Sequence, residues 1–212
     1  LARLRIEDEL RPGDHDDHAE RLGEEMDAAD LPDERLGLFF TCSHPTLRED
    51  ERIVLILRFL SGLTTAEVAA GFLIETATMQ QRIVRAKQRI LKTGIPFGRP
   101  APDELGNRLP GVLRVLYLIF TQGINATVGP EHTRVDLQHE AIRLTRLLVG
   151  YLPEQTEARG LLALLLLTRA RETARVTPDG RPVPLAEQDR SLWDSRLIAE
   201  GTGLVDVAAG EP

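Results

Sequence analysis

One cysteine, one tryptophan and an aromatic content of 4% set this 212-residue chain apart from disulfide-rich and strand-rich proteins. Cys42 has no second cysteine to pair with, so an internal disulfide is excluded, which fits a reducing cytoplasm. Long apolar runs are also missing. The longest are residues 112–120, broken by Arg114, and 161–167. Both fall far short of the roughly 20 residues that cross a bilayer. No charged-then-apolar segment with a small-residue cleavage site opens the chain, so no secretory signal is expected. Acid is absent from one stretch in particular: none lies between Glu75 and Asp103, where Arg82, Arg85, Lys87, Arg89, Lys92 and Arg99 fall. The net charge of −7 argues against a general nucleic-acid coat protein. Nearby charge counts most under physiological screening, however, so an acid-free basic window still suits a local anion-binding face.

With few aromatics and apolar residues at helical spacing, the expected fold is all-α. Residues 1–31 are polar and acid-rich, are broken by Pro12-Gly13, and read as an acidic linker. Residues 32–93 carry helical patterns over 33–41, 48–60, 64–72 and 76–91. The first places Leu36, Phe39 and Phe40 on one side, and the second offers Ile53, Ile56, Leu57 and Leu60 to a core. Thr64 followed by Glu67 forms a capping-box signal. Gly94, Pro96, Gly98, Pro100 and Pro102 make residues 94–103 a stiff linker between domains. Residues 104–212 then promise a helical C-terminal extension, with helices near 104–122, 135–151, 154–173 and 189–200. A turn at Thr177-Pro178-Asp179-Gly180 joins two short extended pieces, Arg175-Val176 and Pro182-Val183.

The pair of helices over 64–92 carries the functional signal. Met79, Ile83, Ala86 and Ile90 recur at i, i+4, i+7 and i+11 and form a core stripe. The opposite side presents Thr78, Gln81, Arg82, Arg85 and Arg89, with Gln80 and Lys87 at its flanks. Glutamine and arginine can each make two hydrogen bonds to a base edge, to adenine and guanine respectively. Arginine and lysine also neutralise phosphates, which gives affinity without sequence information. A solvated basic face on an ordinary amphipathic helix is the plain alternative. The capped helix before it, the short turn and the acid-free window favour contact with DNA.

The segment SGLTTAEVAAGFLIETATMQQRIVRAKQRI resembles region 4 of bacterial extracytoplasmic-function (ECF) RNA polymerase sigma factors, which binds the promoter −35 element. LPDERLGLFFTCSHPTL, RAKQRILKTGIPFGRP, VLRVLYLIFTQGINAT, EAIRLTRLLVGYLPEQTEARGLLALLLLTRARETAR and EQDRSLWDSRLIAEG are similar to the subgroup with a helical extension. The resemblance implies a non-enzymatic, cofactor-free protein whose partners are promoter DNA and the RNA polymerase core. It aligns Thr78, Gln80, Gln81, Arg82 and Arg85 with the family's DNA-facing residues. Gln81 and Arg82 are thereby assigned to base edges, and Arg85, Lys87 and Arg89 mainly to phosphates. Two departures stand out: many region 4 turns have Gly where this chain has Leu73, and Gly71 sits inside the first motif helix. The region that melts the −10 element is not recognisable before Pro32, so the chain reads as region 4 plus the start of the extension. A helix-turn-helix regulator outside the sigma class, or a helical protein-interaction module, remains as an alternative.

Other constellations are weaker. Asp14, His15, Asp17 and His18 are metal-binding types in a polar linker, without specific spacing, and no metal is expected. Cys42 and His44 resemble a nucleophile and base by residue type alone, and no catalytic residue is assigned. Asp189, Arg190, Trp193 and Asp194 lie in a stretch that resembles a signature of the subgroup's extension. One reading has Asp189 capping a helix, Trp193 packed inward and Arg190 paired with Asp194. The other makes these residues an interaction surface for polymerase, a regulatory protein, or another part of the same chain.

Overall fold

The computed structural model describes Leu22 and residues 32–125, 137–179 and 181–210. The described residues are all-helical, with one isolated antiparallel bridge between Val176 and Pro182. Contacts between Cα atoms divide the chain into two compact units between Pro100 and Ala101. The acidic linker expected before Pro32, with Asp14, His15, Asp17 and His18, lies outside the described residues apart from Leu22.

The first unit is built from α1 (Pro32–Cys42), α2 (Glu49–Leu55), α3 (Thr65–Gly71) and α4 (Thr76–Thr93). Helix α1 is buried on more than one side: Leu36, Leu38, Phe39, Phe40, Thr41 and Cys42 are all inaccessible, beyond the single face that periodicity suggests. The cause lies at the far end of the unit. Gly94 adopts a left-handed φ of 61° and ends α4 with a Schellman pair, Gly94 N–H to Leu91 O and Ile95 N–H to Ile90 O, each 3.1 Å. Buried Ile95 turns the chain back over α1, where Thr41 Oγ1 donates to Pro96 O at 3.1 Å. A Cβ on Gly37 would meet the Gly98 Cα at 2.8 Å, so this crossing needs glycine. Residues 94–98, expected as a linker, thus pack onto the first unit.

Helix α2 continues directly into a π-helical turn, Ile56–Leu60, whose wide spacing is marked by Ser61 N–H bonding to Ile56 O at 3.2 Å. The turn brings Ile56, Leu57, Phe59 and Leu60 into the core together. Ile53, expected inside, is half-buried, because Val54 and Leu55 take the inward positions instead.

The second unit comprises α5 (Pro102–Asn125), α6 (Leu137–Tyr151), α7 (Thr156–Arg169) and α8 (Ser195–Gly210), each packed on the next. Pro102 suits the first helical position, where a missing N–H costs nothing. Helix α5 runs through Pro110, whose ring deprives the Gly106 carbonyl of its usual partner. A Cβ on Gly201 would lie 2.8 Å from Leu167 Cγ, so α7 and α8 approach closely there. The expected extended pieces are found: Thr177 N–H donates to Arg181 O at 2.9 Å and Val183 N–H to Arg175 O at 2.8 Å. Helix α8 begins at Ser195 rather than near residue 189, for a reason given below.

Two stability predictions follow from the turn and the cap of the helix pair. Leu73 is the non-glycine residue with positive φ (54°) among those described, and its side chain is 73% exposed. A left-handed residue with a Cβ costs roughly 1–2 kcal/mol, so Leu73→Gly should raise unfolding stability by about 1 kcal/mol. A lower denaturation midpoint would mean that the leucine contributes more contact than strain. At the start of α3, the Thr64 main-chain N–H and hydroxyl both lie 2.8 Å from Glu67 Oε2. These bonds, the backbone one first, hold the Glu67 carboxyl below its ordinary value. A depressed folded value gives stability that is present above the unfolded pKa of about 4.3 and lost as pH falls through the folded one. Denaturation across that acidic range should show a shallower loss in Glu67→Gln than in the unsubstituted chain.

Candidate nucleic-acid interface

The geometry of the basic helix begins with the helix before it. The reciprocal Thr64–Glu67 cap includes Glu67 N–H to Thr64 Oγ1 at 3.2 Å and starts α3 at Thr65. Buried Val68 and Ala69 seat α3, whereas Phe72, expected inside, is half-buried at its C-terminus. Ile74 N–H bonds back to Ala69 O at 3.1 Å, and Leu73 in its left-handed conformation redirects the chain into α4. Gly71, the last residue of α3, sits where its helix cost is smallest.

Met79, Ile83, Ala86 and Ile90 are buried, the stripe that the spacing predicts. At about 100° per residue, that seam dictates where every other side chain of α4 points. Ala77, Gln81, Val84 and Gln88 stand opposite the core, with Gln80 and Arg85 beside them. These six line an open concavity of about 480 Å³. Thr78, Gln80, Gln81 and Arg85 are exposed, whereas Arg82, Lys87 and Arg89 are partly covered.

The seven residues expected at DNA are therefore not on one face. Gln80 and Lys87 lie on one flank, and Thr78, Arg82 and Arg89 on the other. The second flank meets the N-terminus of α2. Arg48, Asp50 and Glu51 join Arg82 and Arg85 around a recess of about 230 Å³. Arg89 Nε lies 3.4 Å from Glu51 Oε1, a pairing that linear distance hides. Among the described residues, neither Arg82 nor Arg85 is engaged in an ion pair. Sequence reasoning missed Ala77, Val84 and Gln88, which helical spacing from Gln81 would have located. It also missed the acidic neighbours, which carry no local signal.

Asp189, Arg190, Trp193 and Asp194 come together at the entry to α8. Asp189 Oδ1 accepts the N–H and hydroxyl of Ser191 at 2.9 and 2.7 Å, capping its own short 3-10 turn, Arg190–Leu192. Asp194 is the residue that caps α8, accepting the N–H groups of Arg196 and Leu197 at 2.9 and 3.1 Å. Its own N–H donates to Ala170 O at 2.8 Å and ties the cap to the end of α7. The chain is thus still turning at 190–192, and Arg190 and Asp194 do not share a helix. Arg190 instead lies over the Trp193 ring, 5.5 Å from its centroid, and Trp193 is half-buried.

Cys42 is fully buried, and burial pushes its thiol far above the ordinary value, so no thiolate is offered to chemistry. His44 Nδ1 is 2.8 Å from Thr46 Oγ1 in an exposed turn. No cluster of three metal-binding side chains occurs among the described residues, and no described helix is long and apolar enough to cross a membrane.

Residues 40–90 match the model of sigma-70, region 4. The chain contains a sigma-70 region 4 helix-turn-helix domain. Region 4 belongs to transcription factors rather than enzymes, and its match spans α2, α3 and most of α4. Residues 108–209 match a family of unknown function, DUF6596, covering most of the second unit. A curated relative, uncharacterized protein R00370 of Rhizobium meliloti (strain 1021), is 43% identical over 195 residues. That alignment takes in 92% of this chain and 46% of the relative, so the chain spans less than half of the relative's length. No solved structure matches the chain.

The capping geometry predicts that Asp194→Ala destabilises the second unit by about 1 kcal/mol, the typical value of a side-chain N-cap. Denaturant midpoints of the variant check this. An unchanged midpoint would place the function of Asp194 outside the fold.

Proposed function

We propose that this chain is the region 4 part of an ECF-type sigma factor together with part of a helical extension. In this reading α4 enters the major groove of the promoter −35 element and brings RNA polymerase core to it. The observation that carries the reading is the outward face of α4, where Gln80, Gln81, Arg85 and Gln88 stand on a helix seated by four buried residues. Uncharged amides suit base edges, the neighbouring Arg85 guanidinium suits phosphate, and a rigid seat keeps them in register. Gln81, central on that face, is assigned to a base edge, and Arg82, reaching in from the flank beside α2, to the adjoining one. Arg85 and Lys87 are assigned to phosphates. No step of this activity calls for a cofactor, and the site of action is the cytoplasm, where polymerase works.

In the second unit, Asp189 and Asp194 commit their carboxylates to caps. Any partner contact through this segment therefore falls mainly to exposed Arg190 with Leu192, which is 49% exposed. Trp193 would act by fixing Arg190 beneath such a partner.

Selection from a random duplex pool at low salt tests the main reading. An enriched motif should emerge, and Gln81→Ala should lower affinity by roughly 1–3 kcal/mol at one base pair and relax the preference there. A uniform loss across all sequences would reassign Gln81 to the backbone. Absence of any enriched motif, with binding that merely falls with salt, would favour an electrostatic footprint over promoter reading.

A further inference from the structure

Glu51 stands in the first turn of α2 with its side chain 10% exposed, and its two carboxylate oxygens have different partners. Oε2 accepts the main-chain N–H of Arg48 at 2.8 Å and closes the start of α2. Oε1 faces Arg89 on the flank of α4 at 3.4 Å. Asp50 borders the same recess, 3.5 Å from Arg48 Nε, with Arg82 and Arg85 across from it. The most basic part of the chain in linear order therefore has two carboxylates folded against its side.

We infer that Glu51, supported by Asp50, is an intramolecular counter-charge for the recognition helix. It withdraws Arg89 from the cations that neutralise phosphate and so lowers sequence-blind affinity for duplex DNA. The inference rests on the DNA-binding reading above and revises one part of the sequence-based expectation, in which Arg89 meets phosphate. Each phosphate neutralised by a protein cation releases counterions, and the logarithm of affinity falls with that of salt by about 0.9 per contact. A guanidinium already facing a carboxylate contributes little net charge to that count. Gln80, Gln81 and Gln88 carry no charge, so their base contacts do not depend on Glu51. The device reduces attraction to bulk DNA while leaving the glutamines of the base-reading face intact. Glu51 is a positioning residue here, acting through Arg89 rather than touching DNA.

Glu51→Gln separates this role from the helix cap, because the amide oxygen still accepts the Arg48 N–H while the charge is gone. Equilibrium binding of the full 212-residue chain to a short random-sequence duplex is measured across a salt series. Glu51→Gln should bind several-fold more tightly at low salt, with a log–log salt slope steeper by about 0.9, one additional phosphate. Asp50→Asn, which leaves the cap untouched, should move affinity in the same direction by less. Unchanged affinity and slope in both variants, with binding retained, would overturn the inference and leave Glu51 a cap. Should Glu51→Gln fail to fold, Asp50→Asn decides by the same criterion. Failure of the unsubstituted chain and both variants to bind any duplex would instead overturn the DNA-binding reading, and this inference with it.

Discussion

Burial of Met79, Ile83, Ala86 and Ile90 on one side of α4 is the constraint from which the arrangement of the first unit follows. Because the helix cannot rotate without exposing that seam, Gln80, Gln81 and Gln88 are committed to the outside and Arg82 and Arg89 to the flank beside α2. Burial of Met79, Ile83 or Ile90 stabilises by roughly 1.5–3 kcal/mol each. The partly exposed pairing of Arg89 with Glu51 belongs to a class worth about 0–1 kcal/mol. Packing therefore sets the orientation of the helix, and the ion pair adjusts the charge it displays. The seam also reaches beyond its own helix. Ile90 accepts the Ile95 N–H, and that bond sends the chain back over α1 to complete the core around Phe39 and Phe40.

The helix pair combines one strongly favourable local feature with one unfavourable one. The reciprocal cap of Thr64 and Glu67 satisfies donors at the start of α3 that would otherwise face water alone. Leu73, by contrast, occupies a conformation suited to glycine while exposing most of its side chain. With 73% of its surface exposed, the covered remainder is what packing sets against the cost of the left-handed conformation.

The second unit is organised by close approach and capping. Small residues permit tight crossings: Gly201 lies against Leu167 and Ala163, and Gly123 against Gln138 and Leu137. Arg146 and Glu200 join α6 to α8 through two contacts of 2.8 and 2.7 Å. Asp194 ties the start of α8 to the end of α7. Two residues that stand out in the sequence, Asp189 and Asp194, thereby have a structural account before any partner is invoked. Arg190 is held over the Trp193 ring, and Leu192 remains 49% exposed.

Much of the fold was legible in the linear pattern, because it rests on interactions between near neighbours. The i, i+4, i+7 stripe of α4, the Thr64–Glu67 cap and the turn at 177–181 all lie within a few residues and left readable signatures. The sequence by itself determined that the chain is helical, that residues 64–93 form a paired helix unit, and which side of α4 is buried. Tertiary structure decided what the other sides meet. The return of residues 94–98 over α1 was hidden, since glycine and proline mark a break without saying where the chain goes next. The π turn at Ile56–Leu60 was hidden too, as its wider spacing serves packing rather than local propensity. Glu51 beside Arg89 was beyond any local reading: 38 positions apart in the numbering, they meet because α2 and α4 share one core. An acid-free window in sequence thus became, in three dimensions, a basic helix with acid at its side.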